Sequence, residues 1–275
     1  MSLFVLITNF DIFMKNRGLE FTEWLQSKGR QTFTLEEAID QLKVSRKTML
    51  EILSRLGRSG RILTITRGLY ALIHPSERVH GIRPLHIINA FMRYTQLPYY
   101  VGLLSAADFW GAAHHKPQVL QVIVAEQRLL RRLGNLRIEL HTQKDFPKKG
   151  IVEKTIESGY FSISSIELTA LDLLTYQSAC GGIDNVCLII NDLKSELDVK
   201  KIMVLGKEYD VFSSIQRLGF LLESFSEKLE FLEELKEWVI KRKPSPILLV
   251  PTTPRSGKLH PDWKVVGNVK VELEP

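Results

Sequence analysis

Apolar residues near the start of the chain recur at helical spacing in three short segments. The first predicts a helix over about 20–27, whose apolar face consists of Phe21, Trp24 and Leu25. The second begins at Thr34, where Thr34-Leu35-Glu36-Glu37 fits a capping box: the Thr34 hydroxyl accepts from an amide while Glu37 reaches back to the cap. This second helix is predicted to end near Leu42.

The third segment predicts the second helix of a helix-turn-helix. A short turn, Lys43-Val44, leads to Ser45, which is a favourable N-cap residue. The helix that follows carries an apolar stripe at i, i+3, i+4, i+7 spacing, formed by Met49, Ile52, Leu53 and Leu56. The first turn of such a helix enters the DNA major groove, where basic side chains donate to guanine and a threonine touches a base edge.

The segment after this helix predicts a β-hairpin. β-Branched residues over 61–66 and apolar residues over 69–73 favour two strands, which Arg67-Gly68 separates. Glycine supplies the positive φ that a tight turn requires. Two helices, a tight turn and a hairpin make a winged helix-turn-helix, so we expect Arg67 at the wing tip, where it can enter a minor groove or contact the backbone.

The positive charge of the chain is concentrated in this same region. The formal net charge is +6, and the residues between Leu42 and Tyr70 contain seven basic side chains and one acid, so the rest sums to zero. Such a local excess is typical of a phosphate-binding surface, although a solvated, solubilising face is the alternative. Some of the arginines would contact phosphates. The predicted DNA-binding residues are Ser45, Arg46, Lys47, Thr48, Arg55, Arg58, Arg61 and Arg67.

Beyond about residue 84 the pattern alternates between helical and strand-like segments. Helices are predicted at about 85–94, 103–110, 166–175, 184–193, 211–222 and 227–241. Strands are predicted at about 119–125, 136–141, 160–163, 247–250 and 265–271. The predicted fold class is therefore α+β, an N-terminal winged helix-turn-helix followed by a larger mixed α/β domain. We divide the chain into an N-terminal extension (1–18), a winged helix-turn-helix domain (19–80) and a C-terminal domain (81–275).

Motifs of catalysis and cofactor binding are absent from the sequence. There is no GxGxxG, Walker A, HExxH, GxSxG or CxxC pattern, so we expect a binding protein that is not an enzyme and needs no cofactor or metal. The neighbours His114 and His115 would not face one site on a helix or strand, which disfavours metal binding. Cys180 and Cys187 lie seven residues apart, beyond disulfide reach on a helix, and are expected to be buried and reduced. No apolar run is long enough to span a membrane, so we expect a cytoplasmic protein.

Two other interpretations of function stay open from these residues. The larger domain could sense a small-molecule effector, or it could act as a nuclease through Glu139, His141, Asp145, Glu153 and Lys154. No Asp…Glu-x-Lys arrangement supports the nuclease. The winged helix could also serve purely as a protein-docking surface.

From residue 20 onward, nearly the whole chain resembles the AbiEi-like antitoxin family. Four stretches carry this resemblance, and the second and third are long and distinctive. They are Gly60 to Leu72 (GRILTITRGLYAL), Pro98 to Val124 (PYYVGLLSAADFWGAAHHKPQVLQVIV), Gly159 to Asn185 (GYFSISSIELTALDLLTYQSACGGIDN) and Asp262 to Glu272 (DWKVVGNVKVE).

The resemblance implies a two-part antitoxin of a type IV toxin–antitoxin system, the kind that acts in abortive infection and phage defence. Its winged helix would bind double-stranded DNA at repeats in its own promoter and repress the operon. Its C-terminal domain would help to neutralise a toxin of the nucleotidyltransferase type, and the family is usually classed as acting without a stable complex with the toxin. No C-terminal residue can be assigned to neutralisation from the sequence.

Overall fold

The computed structural model describes residues 16–78, 81–126, 136–157, 159–225 and 232–271. Most of the predicted extension, residues 1–15, therefore lies outside the described residues. The chain divides into two compact units. Among the described residues, the N-terminal unit comprises those up to Leu97 together with residues 136–138 and Thr155–Phe161, and the C-terminal unit comprises the others.

The N-terminal unit begins with the element order of a winged helix-turn-helix. A helix over 16–27 (α1) precedes strand β1 (Thr32–Thr34), and helices α2 (Leu35–Leu42) and α3 (Arg46–Arg58) follow. Strands β2 (Ile62–Thr66) and β3 (Leu69–Leu72) then form an antiparallel hairpin. The sheet has the order β1-β3-β2, with β1 antiparallel to β3.

Local sequence signals set the ends of these helices. The Thr34 hydroxyl accepts from the Glu37 amide at 3.2 Å, and the Glu37 carboxylate accepts from the Thr34 amide at 2.8 Å, so the predicted capping box is present. Helix α2 ends at Lys43, whose φ of 51° lies in the left-handed region. The apolar faces of the three helices and the hairpin meet in one core that includes Phe21, Phe33 and Met49.

Helix α4 (Pro84–Thr95) belongs to the N-terminal unit, whereas the sequence-based division placed everything from residue 81 in the C-terminal domain. A 3-10 turn (Pro75–Glu77) lies between β3 and this helix. Helix α4 buries Ile87, Ile88, Phe91 and Met92 and contacts β3.

The C-terminal unit is built on a mixed five-stranded sheet of order β6-β5-β4-β8-β7. The strands are β4 (Tyr99–Val101), β5 (Leu120–Val124), β6 (Ile138–Thr142), β7 (Ile151–Ile156) and β8 (Gly159–Ser164). The last residues of β7 and the first residues of β8 fall in Thr155–Phe161, the segment that belongs to the N-terminal unit. Strand β4 pairs antiparallel with β5 and parallel with β8, where Val101 lies opposite Ile163. The sheet mixes both pairings, and with the helices it confirms the predicted α+β class.

Helices account for most of the remaining core. They are α5 (Leu103–Phe109), α6 (Ile166–Thr175), α7 (Gly182–Leu193), α8 (Val199–Glu208), α9 (Phe212–Ser224) and α10 (Leu232–Ile240). Helix α6 is buried on nearly every side and contacts α5, α7, α8 and α9. A small sheet of order β10-β11-β9 closes the unit, from β9 (Ile247–Leu248), β10 (Lys258–Leu259) and β11 (Val265–Gly267).

Four α-helices or β-strands in the described part of this unit were not predicted from the sequence, namely β4, β7, β10 and α8. Strand β7 lies at the end of the sheet order, and its sequence IVEKTI has charged residues at positions 153 and 154 instead of a continuous apolar run. Helix α8 contains Gly206, which weakens a helical pattern. Strand β4 has three residues, too few for a periodic signal.

Candidate nucleic-acid interface

The first turn of α3 is open to solvent. Ser45 caps the helix, since its hydroxyl accepts from the Thr48 amide at 3.1 Å. Ser45, Arg46 and Lys47 are exposed and Thr48 is half-buried. The opposite side of α3 is buried through Met49, Ile52, Leu53 and Leu56, as the spacing predicted. The helix therefore presents its capped, cationic end outwards.

An acidic side chain that the sequence analysis did not single out lies beside Arg46. The Arg46 guanidinium (Nη1) lies 3.4 Å from Glu36 Oε1 in the first turn of α2. Both side chains are more than half exposed, at 60% and 64%. An ion pair this exposed is weak, so Arg46 can leave Glu36 for a phosphate or a base.

The remaining helix cations lie further along α3. Lys47, Ser54 and Arg58 share one face because they are spaced by seven and four residues, and Arg58 Nη2 donates to Ser54 Oγ at 3.2 Å. Arg55, Arg58 and Arg61 line a cleft of about 780 Å³ together with Gly18 and Leu19 of α1. The cleft lining therefore contains three arginines and one acid, Glu51.

The wing is a two-residue turn between paired strands. Thr66 pairs with Leu69, which leaves Arg67 and Gly68 as the turn. Gly68 has a φ of 88°, as the turn requires, and its carbonyl accepts from the Leu35 amide at 2.9 Å. The side chain of Arg67 is exposed.

The wing turn and the start of α3 border the same turn of α2. Gly68 is bonded to Leu35, and Arg46 is paired with the next residue, Glu36. Burial raises the pKa of Tyr70 on β3, and smaller electrostatic effects on the same phenol come from Arg46, Glu36 and Tyr94. The structure thus brings Arg46 and the wing turn together, while Arg55, Arg58 and Arg61 form a second group at the cleft.

Leu50 is an outward-facing apolar residue of α3. It is 43% exposed on α3, one turn after Arg46 and Lys47. An exposed leucine among cations can contact a thymine methyl group. The sequence indicates this exposure, because Leu50 lies outside the apolar stripe of α3.

The C-terminal unit contains a buried polar pair on β4 and α6. The Tyr100 hydroxyl lies 2.9 Å from Asp172 Oδ2 and 2.8 Å from Gln143 Oε1. Burial raises the pKa of Asp172 to about 8, and the Tyr100 hydrogen bond opposes part of that rise. Sequence reasoning missed this acid, because Asp172 lies within the apolar run of α6.

Several residues considered above for metal binding or nuclease activity form contacts between a histidine and a carboxylate. His114 Nε2 lies 3.1 Å from Asp192 Oδ2, and Glu139 lies 3.4 Å from His141. Across the described ranges, no three His, Cys, Asp or Glu side chains gather as they would around a metal ion. Cys180 and Cys187 are buried and free, as predicted. No helix in the described part of the chain has the length and apolar character to cross a membrane.

Taken together, the helix-turn-helix, the wing and the larger α+β unit define a winged-helix protein. Two families match the sequence: one described as "Transcriptional regulator, AbiEi antitoxin" over residues 23–73, and one described as "AbiEi antitoxin C-terminal domain" over residues 100–224. Because these two matches together span more than half of the chain, the chain belongs to the AbiEi antitoxin family.

A solved structure supports the fold independently. The crystal structure of the RV2827C protein from Mycobacterium tuberculosis resembles this chain with a TM-score of 0.68 at 14% identity. The similarity covers 91% of each chain, so the two proteins share their overall fold. A comparison with curated protein sequences gave no match.

Proposed function

We propose that this antitoxin binds double-stranded DNA through the winged helix and represses its own toxin–antitoxin operon. The observation that carries the proposal is the exposed Arg46 and Lys47 at the capped start of α3, with Arg67 on the neighbouring wing. In this arrangement the first turn of α3 reads the major groove, and Arg67 reaches the adjacent minor groove or backbone. Arg55, Arg58 and Arg61 contact phosphates.

A gel shift on the DNA upstream of the operon tests this part of the proposal. Arg46→Ala and Lys47→Ala should each weaken binding by about 1–3 kcal/mol if they contact bases. The matched control is Lys200→Ala, which removes one exposed positive charge from α8. Equal affinity of all three variants for the operator would remove Arg46 and Lys47 from the recognition role.

Salt dependence provides a second measurement of the same contact surface. Neutralising about four to six phosphates should give a log–log slope of affinity against salt of roughly −4 to −5. A slope near zero, or no binding at low salt, would contradict DNA binding and favour a protein-docking role for the winged helix.

We further propose that the C-terminal unit neutralises a nucleotidyltransferase-type toxin in the cytoplasm. Family membership supports an antitoxin role, and a nucleotidyltransferase-like gene beside this one would identify the toxin. Co-expression tests it: growth arrest by the neighbouring gene product should be relieved by the full chain. The variant Arg46→Ala with Lys47→Ala should lose repression but keep this relief, because the changed residues lie in the N-terminal unit. Failure of the wild-type chain to relieve arrest would refute this toxin as the target.

A further inference from the structure

The wing turn is held from two sides by hydrogen bonds to its carbonyl groups. The Gly68 carbonyl accepts from the Leu35 amide at 2.9 Å, as described above. The Arg67 carbonyl accepts from the Tyr94 hydroxyl at 3.0 Å. Both carbonyls of the two-residue turn are therefore fixed by groups outside the hairpin.

The turn has a backbone geometry that benefits from this outside support. Of its two residues, only Gly68 has a positive φ. The favoured two-residue hairpin turns have a positive φ at the first position, because that backbone twist matches the twist of the strands. The hairpin is also irregular just before the turn, where its register shifts between Thr64 and Thr66. The strands by themselves thus specify the direction of the turn poorly.

Tyr94 is placed by a well-anchored helix. It lies in the last turn of α4, where Phe91 and Met92 are buried. The side chain of Tyr94 is 41% exposed, yet its hydroxyl is directed at the wing. Its fit to the turn is close, because a Cβ atom added to Gly68 would lie only 2.5 Å from the Tyr94 hydroxyl oxygen.

We propose that Tyr94 is a positioning residue for the DNA-contacting wing: its hydrogen bond to the Arg67 carbonyl fixes the turn, so that the Arg67 side chain is directed at the DNA. This inference rests on the proposed DNA-binding function. Helix α4 then contributes to DNA binding, because Tyr94, the residue that orients the wing, lies on this helix, 27 positions after Arg67 in the sequence.

The variant Tyr94→Phe tests the proposal, because it removes the hydroxyl and keeps the ring. Tyr160→Phe is the matched control, since Tyr160 is a similarly exposed tyrosine (42%) whose hydroxyl accepts from Arg93 Nη1 at 3.3 Å. We expect Tyr94→Phe to bind the operator roughly three- to tenfold more weakly, the range that one lost hydrogen bond commonly gives. Its salt slope should become shallower by about one, as for Arg67→Ala, because the phosphate or groove contact of one cation is lost. Tyr160→Phe should match the wild type in both measurements.

Combining the substitutions separates positioning from a direct DNA contact. In the Arg67→Ala background, Tyr94→Phe should change affinity by less than about twofold, because the side chain that it orients is gone. Equal affinity of Tyr94→Phe and wild type, or an undiminished effect of Tyr94→Phe in the Arg67→Ala background, would overturn the proposal. Thermal denaturation verifies that each variant is folded.

A measurement on the protein without DNA tests the positioning role of Tyr94 separately from DNA binding. Amide hydrogen exchange or ¹⁵N relaxation should show faster motion at Gly68 and Leu69 in Tyr94→Phe than in wild type and in Tyr160→Phe. Unchanged wing motion would refute the positioning role even if the protein binds DNA. Failure of the wild-type chain to bind any DNA would instead refute the function that the wing serves.

Discussion

At the scale of single residues, the carboxylate of Glu36 lies beside Arg46, the cation that is proposed to contact DNA bases. Glu36 Oε1 lies 3.4 Å from the Arg46 guanidinium. On a DNA-binding face this acid both competes for Arg46 and repels the incoming phosphates. We therefore expect Glu36 to lower affinity for every DNA sequence, so its removal should strengthen binding.

We predict that Glu36→Gln raises operator affinity about two- to fivefold at low salt, in line with the small energies of exposed ion pairs. The gain should shrink at higher salt because screening weakens both effects. Glu234→Gln on α10 is the control with the same change of net charge. If the two variants gain equally, general charge and not the contact with Arg46 is responsible.

Asp172 is the second residue whose environment has a measurable consequence. Tyr100 has one hydroxyl proton but lies within hydrogen-bond distance of two acceptors, Asp172 Oδ2 and Gln143 Oε1. A protonated Asp172 resolves this, because it can donate to Tyr100 while Tyr100 donates to Gln143. Burial favours the same form by raising the pKa of Asp172 from 3.8 to about 8.

The raised pKa predicts that stability falls with pH. Between about pH 4 and pH 8 the folded chain keeps a proton on Asp172 that the unfolded chain releases, so the free energy of unfolding decreases as pH rises through this window. Asp172→Asn stays neutral and should lose this dependence. Relative to wild type it should gain about 3–4 kcal/mol between pH 5 and pH 8.5, measured by chemical denaturation.

Asp108→Asn provides the control, because it makes the same chemical change at an exposed position. A profile for Asp172→Asn that runs parallel to that of the wild type would show that Asp172 is ionised in the folded chain.

At the scale of elements, two helical glycines occupy opposite environments. A Cβ atom added to Gly219 in α9 would lie 2.1 Å from the ring of Trp263, which is fully buried. A Cβ atom added to Gly57 in α3 would have no neighbour within 4 Å. The first glycine allows close packing of a helix on an indole, whereas the second only adds backbone freedom to the helix.

These environments predict effects of opposite sign. Gly219→Ala should lower the free energy of unfolding by about 1–3 kcal/mol, because overpacking forces the ring and helix apart. Gly57→Ala should raise it by about 0.5–1 kcal/mol through better helix propensity. Urea denaturation followed by circular dichroism compares them, and a loss of stability in both variants would contradict the open environment of Gly57.

At the scale of the whole molecule, the reactivity of the two cysteines measures unfolding of the C-terminal unit, because both are buried there. Burial raises the pKa of each thiol to about 12, with smaller contributions from nearby acids. The reactive thiolate is therefore scarce in the folded protein. Alkylation should report on unfolding and not on local thiol chemistry.

We predict that iodoacetamide at pH 8 modifies neither cysteine in the native protein, and both in denaturant. Mass spectrometry across a urea series should show modification rising together with the loss of helical signal. Rapid alkylation of either thiol without denaturant would indicate local opening around the 3-10 turn Gln177–Cys180 or helix α7.

The sequence by itself determined the elements whose signals are local. The capping box at Thr34, the Ser45 cap and the buried stripe of α3 involve residues within one or two turns of each other, so a periodic pattern reveals them. The cationic segment from Lys43 to Arg67 and the stretches shared with the AbiEi family were likewise visible without coordinates.

Only the tertiary structure decided which distant residues meet. Tyr94 reaches the wing from 27 residues away, and Tyr100 meets Asp172 across 72. Helix α4 lies against β3 in the N-terminal unit, although the sequence of the helix alone does not indicate this partner. Helical periodicity identifies which face of an element is buried, but the element that covers this face is chosen by the packing of the whole chain.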